Sequence, residues 1–486
     1  MSEVDLGQSA ARGVFVTLLA KWGNTITMLA SSVVLARLLS PNDFGIVAMV
    51  TVVIGFTVLF QDLGLTSAVV RAKDLTNSQQ TSIWLMNILL GLVLTLTMFA
   101  LAPLIASFYN QPEVENVARV LSLTFLISSF SGQSRADLLR SLRFSVLGGT
   151  QVAVGLVQLV VAIVLAVKGF GYWAIVTSSV VSSVLWALTL ILRSNFRPSR
   201  PAPLREVGIL VKQGLQITFI QSATFLSRSM DVIAVGRFYG ADTVGLYNRA
   251  SQVVGIVEQQ LTSAMTAVAL PVLSKLQDSP DRFQKAVNQA VNAIGYTLTP
   301  IFTSLSLAAV PAVTFVYGEQ WRFAGQLLVI IALAGTVRSV LLLFELSATA
   351  LGAMSRQISG TLIAQSVAAA VLIAAATVSV ETVAIGYVAV TYISVVFNIW
   401  WISRGTYLSF RSVMISFARP LVVWIFAYIV AVLVREFLVG GDLFLASVSV
   451  GVQFATGLLI ILLLPAARRD VRDVFRLFRR AVSMRA

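Results

Sequence analysis

Neither cysteine nor histidine occurs in the 486 residues. Together these absences exclude disulfides, thiol chemistry, haem ligation through imidazole and most zinc sites. Charge is scarce as well. Asp, Glu, Lys and Arg make up 12% of the chain, against about 25% in a soluble domain. There is no G-x-x-x-x-G-K-[ST] phosphate loop, so ATP hydrolysis within this chain is not expected. No stretch between the apolar runs is long enough for a catalytic domain outside the membrane, so no catalytic residues are assigned. The start, MSEVDLGQSAARG, is polar and slightly acidic, without a short apolar core and small-residue cleavage site. The first helix is therefore expected to act as an uncleaved anchor.

What the chain has instead is apolar length. Hydrophobic residues make up 57% and mean hydropathy is +0.88. Apolar runs of roughly 20 residues recur from end to end, which is the signal of membrane-spanning helices. The runs are continuous rather than alternating, which argues against a barrel. The fold class expected is an all-α polytopic membrane protein with about fourteen spans. They are placed near 14–38, 44–66, 82–106, 117–141, 146–167, 171–193, 208–236, 243–272, 287–316, 323–350, 358–379, 382–403, 416–438 and 443–465. SPND (40–43), YNQPEVEN (109–116) and KGFGY (168–172) mark breaks, and the basic, proline-rich RPSRPAP (197–203) is the mid-chain linker.

The net charge of +14 is read as orientation rather than nucleic-acid binding, because basic residues in the loops of a membrane protein set topology. With a cytoplasmic N-terminus, 24 of the 35 Lys and Arg residues fall on the cytoplasmic side and six on the other. That bias implies a multi-pass membrane protein with both termini cytoplasmic. The tail RRDVRDVFRLFRRAV (468–482) puts Val471, Phe475, Phe478 and Val482 on one stripe and arginines around it. A helix so built is expected to lie among cytoplasmic headgroups and touch anionic membrane lipids.

An internal repeat runs through the chain. LARLLSPNDFGIV (35–47) matches VGRFYGADTVGLY (235–247) at an offset of 200, pairing Arg37 with Arg237 and Gly45 with Gly245. Each copy begins a six-helix block. The division expected is an N-lobe at 1–200, a C-lobe at 201–405, two extra helices at 406–467 and the basic tail at 468–486. Arg37 and Arg237 lie at helix ends, where snorkelling to the interface is their expected role.

Five cations sit inside spans: Lys21, Arg135, Arg228, Arg249 and Arg338. Each costs roughly 2.5–3.5 kcal/mol at the centre of a bilayer unless it faces something polar. Their spacing is helical. Thr17, Lys21, Asn24 and Ser31 share a face of the first span; Gln221, Thr224, Arg228 and Asp231 share one in the seventh; Arg338 and Glu345 share one in the tenth. Stripes on equivalent helices of the two blocks suit a water-filled cavity. The structural alternative is local neutralisation, Arg228 with Asp231 and Arg338 with Glu345. Lys21, Arg228, Arg249, Arg135, Arg338 and Gln221 are the candidates for substrate binding. Asp62, Asp231 and Glu258 are the candidates for coupling to a proton or sodium gradient, with no other cofactor and no metal.

ARLLSPNDFGIVAM, GLTSAVVRAKDLT, LLRSLRF, VGRFYGADTVGLYNRASQVV and ALPVLSKLQDSPDRFQKA, in that order, resemble bacterial polysaccharide transporters of the Wzx type. Within these the likeness is to the WzxC-like colanic acid exporter branch. The family belongs to the MOP superfamily, which also holds MATE drug exporters and lipid II flippases. The resemblance implies two six-helix lobes around a central, typically cationic cavity, plus two peripheral helices. It implies flipping of an undecaprenyl-pyrophosphate-linked glycan, with a polysaccharide polymerase and a chain-length regulator as further partners. Rival readings are a MATE-like ion-coupled exporter, which would need an anionic cavity, a membrane-embedded glycan polymerase or ligase, and a scaffold without transport.

Overall fold

The computed structural model describes the backbone of residues 3–62, 76–203, 218, 222, 225 and 229–483; the side chains of 3–20, 62, 261–268, 475 and 477–483 lie outside the description. Among the described residues all regular structure is helical. In chain order the elements are α1 (Glu3–Leu38), α2 (Pro41–Asp62), α3 (Asn77–Tyr109), α4 (Glu113–Arg140), α5 (Phe144–Val167) and α6 (Tyr172–Arg193). Then come α7 (Met230–Leu276), α8 (Pro280–Tyr317), α9 (Arg322–Ala350), α10 (Met354–Ala376), α11 (Val380–Ser403), α12 (Phe410–Glu436), α13 (Asp442–Leu463) and α14 (Pro465–Ser483). Ten of the described helices are long and apolar enough to cross a membrane. This is a multi-pass helical membrane protein. Its contacts divide into two compact units, Met1–Gly245 and Leu246–Ala486.

In the first unit, helices meet through small and polar residues. Lipid tails are as apolar as leucine, so association in a membrane relies on close packing and interhelical hydrogen bonds. The α3–α4 seam is of this kind. Thr95 Oγ1 donates to Ser122 O (3.0 Å), Trp84 Nε1 to Phe130 O (3.1 Å) and Gln133 Nε2 to Gln80 Oε1 (3.3 Å). α4 is not among the ten apolar helices: Ser122, Ser129, Ser131, Gln133 and Ser134 share its buried face with apolar residues, and six charged residues lie along it. The linker after α6 is laced down rather than loose. Asp137 accepts from Asn195 N (2.9 Å), Ser199 N donates to Thr81 Oγ1 (3.0 Å), and Ser82 Oγ donates to Ala202 O (2.8 Å).

The SPND turn is a reciprocal helix cap. Ser40 N–H and Oγ donate to Asp43 Oδ2 (2.9 and 2.7 Å), while Asp43 N–H donates back to Ser40 Oγ (3.3 Å). The other oxygen of Asp43 accepts from Tyr172 N (2.8 Å), tying the start of α2 to the start of α6. The second repeat turns differently: Gly240 adopts φ 79°, a region that suits glycine, and interrupts α7.

The two matched turns meet. A Cβ on Gly45 would lie 1.6 Å from Ala241 O, and a Cβ on Gly245 would lie 1.9 Å from Pro41 O. At the 200-residue offset, 41 corresponds to 241 and 45 to 245. The contact is therefore reciprocal, as about a two-fold axis. Both glycines are required for backbone-on-backbone approach. Arg237 stands beside this contact. It is exposed, 5.9 Å from the Phe108 ring and 3.1 Å from the side-chain amide of Asn110.

The core of the second unit joins α8, α9, α11 and α12 through Phe283, Val287, Val340, Phe344, Ile399 and Val413. Gly335 of α9 lets the Phe302 ring lie against the backbone, at 2.4 Å from where a Cβ would stand. α12 packs on α8 and α13 and meets α11 at only a few residues. α14 docks by its first half: Ala467 is buried and Val471 packs against the cluster of Tyr296, Trp424 and Ala427. Arg419 of α12 pairs with Asp470 of α14 at 3.3 Å.

Candidate transport site

Three helices of the second unit converge on one charge pair. Arg338 of α9 reaches Glu258 of α7 with Nη1 to Oε2 at 3.2 Å, and the same nitrogen donates to the Tyr387 hydroxyl of α11. The Glu258 side chain is 14% exposed and that of Arg338 33%, so the pair is sheltered without being sealed. Arg338 thus has an ion-pair partner on another helix. The backbone oxygen of Glu345, seven residues along α9, accepts from Thr349 Oγ1 (2.9 Å). Removing one member of a buried pair leaves a charge uncompensated at about 3–5 kcal/mol, less where a third of the side chain is exposed. A guanidinium fork exchanges readily between carboxylate and phosphate oxygens, because both present paired acceptors.

Arg249 is enclosed more tightly, at 4% exposure. Its Nη1 donates to Gln252 Oε1 (2.7 Å), one turn along α7, and its guanidinium carbon lies 5.3 Å from the centroids of both Tyr317 and Trp321. This box follows from local geometry. α8 ends at Tyr317, Gly318 turns the chain at φ 108°, and a short 3-10 turn, Glu319–Trp321, brings the indole back beside the tyrosine. Cation–π contacts on two rings are a usual way to hold a desolvated guanidinium.

In the first unit Asp231 is 5% exposed and accepts from Val232 N (2.9 Å). Arg135 is exposed, although its neighbours Gln133, Ser134 and Ala136 are buried; α4 thus hides its hydroxyls and amides and presents its cation. Lys21 is exposed on α1. Asp62 ends α2, with its side chain outside the description, and Arg228 and Gln221 lie outside the described residues altogether. Two groups were missed from the sequence. Tyr387 carries no charge signal, yet Tyr387, Thr391, Ser394 and Asn398 form a polar stripe at 4–3–4 spacing that marks the inward face of α11. The ring pair Tyr317 and Trp321 sits in a turn, where helical periodicity has nothing to report.

The fold and sequence have known likenesses. Two solved structures superpose over most of the chain: the lipid II flippase MurJ in an inward closed conformation and an inward-facing multidrug resistance MATE transporter of the MOP superfamily. MurJ gives a TM-score of 0.71 at 14% identity, covering 92% of this chain and 97% of that one. The MATE transporter gives 0.64 at 16%, covering 79% and 94%. At these identities the likeness establishes the fold alone. Among curated proteins, the lipopolysaccharide biosynthesis protein WzxC of Escherichia coli (strain K12) is 23% identical over 333 residues, 66% of this chain and 67% of that one. The succinoglycan biosynthesis transport protein ExoT of Rhizobium meliloti (strain 1021) is 25% identical over 327 residues, 67% and 66% of the two chains. The matches thus span about two thirds of each relative. A family model described as "Polysaccharide biosynthesis protein" matches residues 34–325, more than half of the chain. This chain belongs to that polysaccharide biosynthesis protein family.

Proposed function

We propose that this protein is a flippase that moves an undecaprenyl-pyrophosphate-linked oligosaccharide across the bacterial inner membrane for surface polysaccharide synthesis. The observation that carries the reading is the Arg338–Glu258–Tyr387 constellation, a cationic side chain one-third exposed among three helices of an apolar fold. Such a group supplies a counter-charge for a pyrophosphate that would otherwise meet hydrocarbon, where an unpaired charge is prohibitively costly. Arg338 exchanges its Glu258 partner for a phosphate oxygen when the head group enters. Lys21, Arg135, Arg228 and Arg249, with Gln221, are the further candidates for binding the head group, and the internal repeat supports two six-helix lobes. The polyprenyl tail stays in lipid throughout, so the protein need shelter only the head and glycan.

Asp62, Asp231 and Glu258 are the carboxylates available for coupling to a proton or sodium gradient. With a negative cytoplasm, outward movement of anionic charge gains roughly 2.3 kcal/mol per charge per 100 mV in any case. Both termini are cytoplasmic in this proposal, on the 24-to-six bias of Lys and Arg. A polysaccharide polymerase and a chain-length regulator would take the flipped product. The test is export in a host lacking its own flippase: Arg338→Gln at normal membrane abundance should abolish glycan export, and full export by that variant would overturn the assignment.

A further inference from the structure

The flank of α11 that α12 leaves uncovered forms an apolar groove of about 610 Å³, lined by Tyr392, Ile393, Val396, Phe397, Trp400 and Phe410. Five of these recur along one stripe of α11, and Phe410 opens α12 at its end. The groove exists because α12 packs on α8 rather than along α11. Its walls have their polar groups turned away. The Tyr392 hydroxyl bonds that of Thr336 behind it (2.8 Å), and the neighbouring Trp401 donates to Ser359 Oγ (3.1 Å). Phe397, Trp400 and Trp401 pack ring to ring, with centroids 5.8–6.0 Å apart, which stiffens the aromatic end.

That end is also cationic. Arg404 is exposed and lies 4.3 Å over the Trp400 ring, and Arg411, exposed, follows directly after Phe410. Neither forms an ion pair among the described residues. An apolar groove with Arg404 at its Trp400 end and exposed Arg411 next in sequence to its lining Phe410 has the chemistry to take an anionic phospholipid: an acyl chain along the stripe and a phosphate at the arginines. Ring stacking on Trp400 holds the Arg404 guanidinium at the mouth instead of letting it trail into water. We infer that the α11–α12 groove is a binding site for an anionic glycerophospholipid, with its acyl chain on Tyr392, Val396 and Trp400 and its phosphate between Arg404 and Arg411.

The site is independent of the flippase reading and is tested without transport. The full chain is reconstituted in phosphatidylcholine vesicles doped with a small, equal fraction of dibrominated phosphatidylglycerol or dibrominated phosphatidylcholine. Bromine quenches nearby indoles, and comparison with Trp400→Phe isolates the signal of Trp400. Wild-type Trp400 should be quenched as though phosphatidylglycerol were enriched about thirtyfold at the groove, the preference expected when two basic residues sit at a lipid surface. Arg404→Gln/Arg411→Gln should bring the two lipids to parity, and Arg404→Lys/Arg411→Lys, which keeps the charge and reports on folding, should retain most of the preference. Parity in the wild type, or an undiminished preference in the double glutamine variant, overturns the proposal.

Discussion

Adding one methyl group at Gly45 or Gly245 should separate two backbones that now touch. A Cβ on Gly45 would stand 1.6 Å from Ala241 O, and one on Gly245 would stand 1.9 Å from Pro41 O. Neither obstacle is a side chain that can rotate away; both are main-chain carbonyls at helix starts. To reach ordinary contact the backbones must part by about 1.5 Å, which forfeits much of the dispersion along the crossing. Overpacking of this kind costs about 1–3 kcal/mol, with backbone clashes at the upper end. In a unit of this size each kcal/mol lowers Tm by about 2–4 °C. Thermal unfolding of the detergent-purified full chain, followed by intrinsic fluorescence, should show the loss in Gly45→Ala and in Gly245→Ala. The reciprocal geometry adds a sharper expectation. Once the first methyl has parted the backbones, the second enters space already opened, so the double variant should lose little more than the worse single one. An unchanged Tm in either single variant, or two losses that simply add, would refute the reasoning.

Glu258→Gln should destabilise by about 1–3 kcal/mol, below the fully buried limit because Arg338 is a third exposed. Arg338→Gln/Glu258→Gln should recover most of that stability in a thermal scan without recovering export, which separates packing from substrate contact. Asp43→Ala should cost about 1–2 kcal/mol, since it removes the N3 half of a helix cap and the acceptor for Tyr172 N; a chemical denaturation midpoint checks this. Burial pushes the Asp470 carboxyl above its ordinary value of 3.8, assisted by Asp473 and opposed by Arg419 and Arg469. The docked state therefore binds the proton more tightly than the undocked one, and this contribution is full below 3.8 and lost as pH rises through the raised value. A fluorophore at position 476 with Trp424 as donor should report α14 loosening over that window, and Asp470→Asn should flatten the slope.

Hydrophobic runs made the helices legible, and their edges were misjudged for a physical reason. The span expected at 287–316 falls within α8, which starts earlier at Pro280. A hydropathy window detects the apolar part of a helix and is blind to a polar extension such as PDRFQKAV. Between the seventh and eighth spans a loop was expected, and a single glycine at φ 79° makes the turn. Proline and glycine mark breaks without stating how many residues a break needs. Spacing exposed the polar face of α9, but it could not show that Arg338 reaches Glu258 on α7 and Tyr387 on α11. Periodicity shows which way a side chain points and never what stands opposite. The Arg249 box and the Arg404 groove both depend on rings brought together by turns and by the choice of helix neighbours, information that one strand of sequence spreads over many positions.

Translocation by the purified full chain in sealed vesicles tests the central claim most directly. A fluorescent undecaprenyl-pyrophosphate-linked oligosaccharide is loaded on one leaflet, and its arrival on the other is read by an impermeant glycosidase or quencher. Protein-dependent arrival is expected, strongly reduced by Arg338→Gln and undiminished by Arg193→Gln in the last turn of α6. Arrival no faster than in protein-free vesicles, alongside ion-driven efflux of a cationic dye, would contradict a flippase and identify a MATE-like exporter.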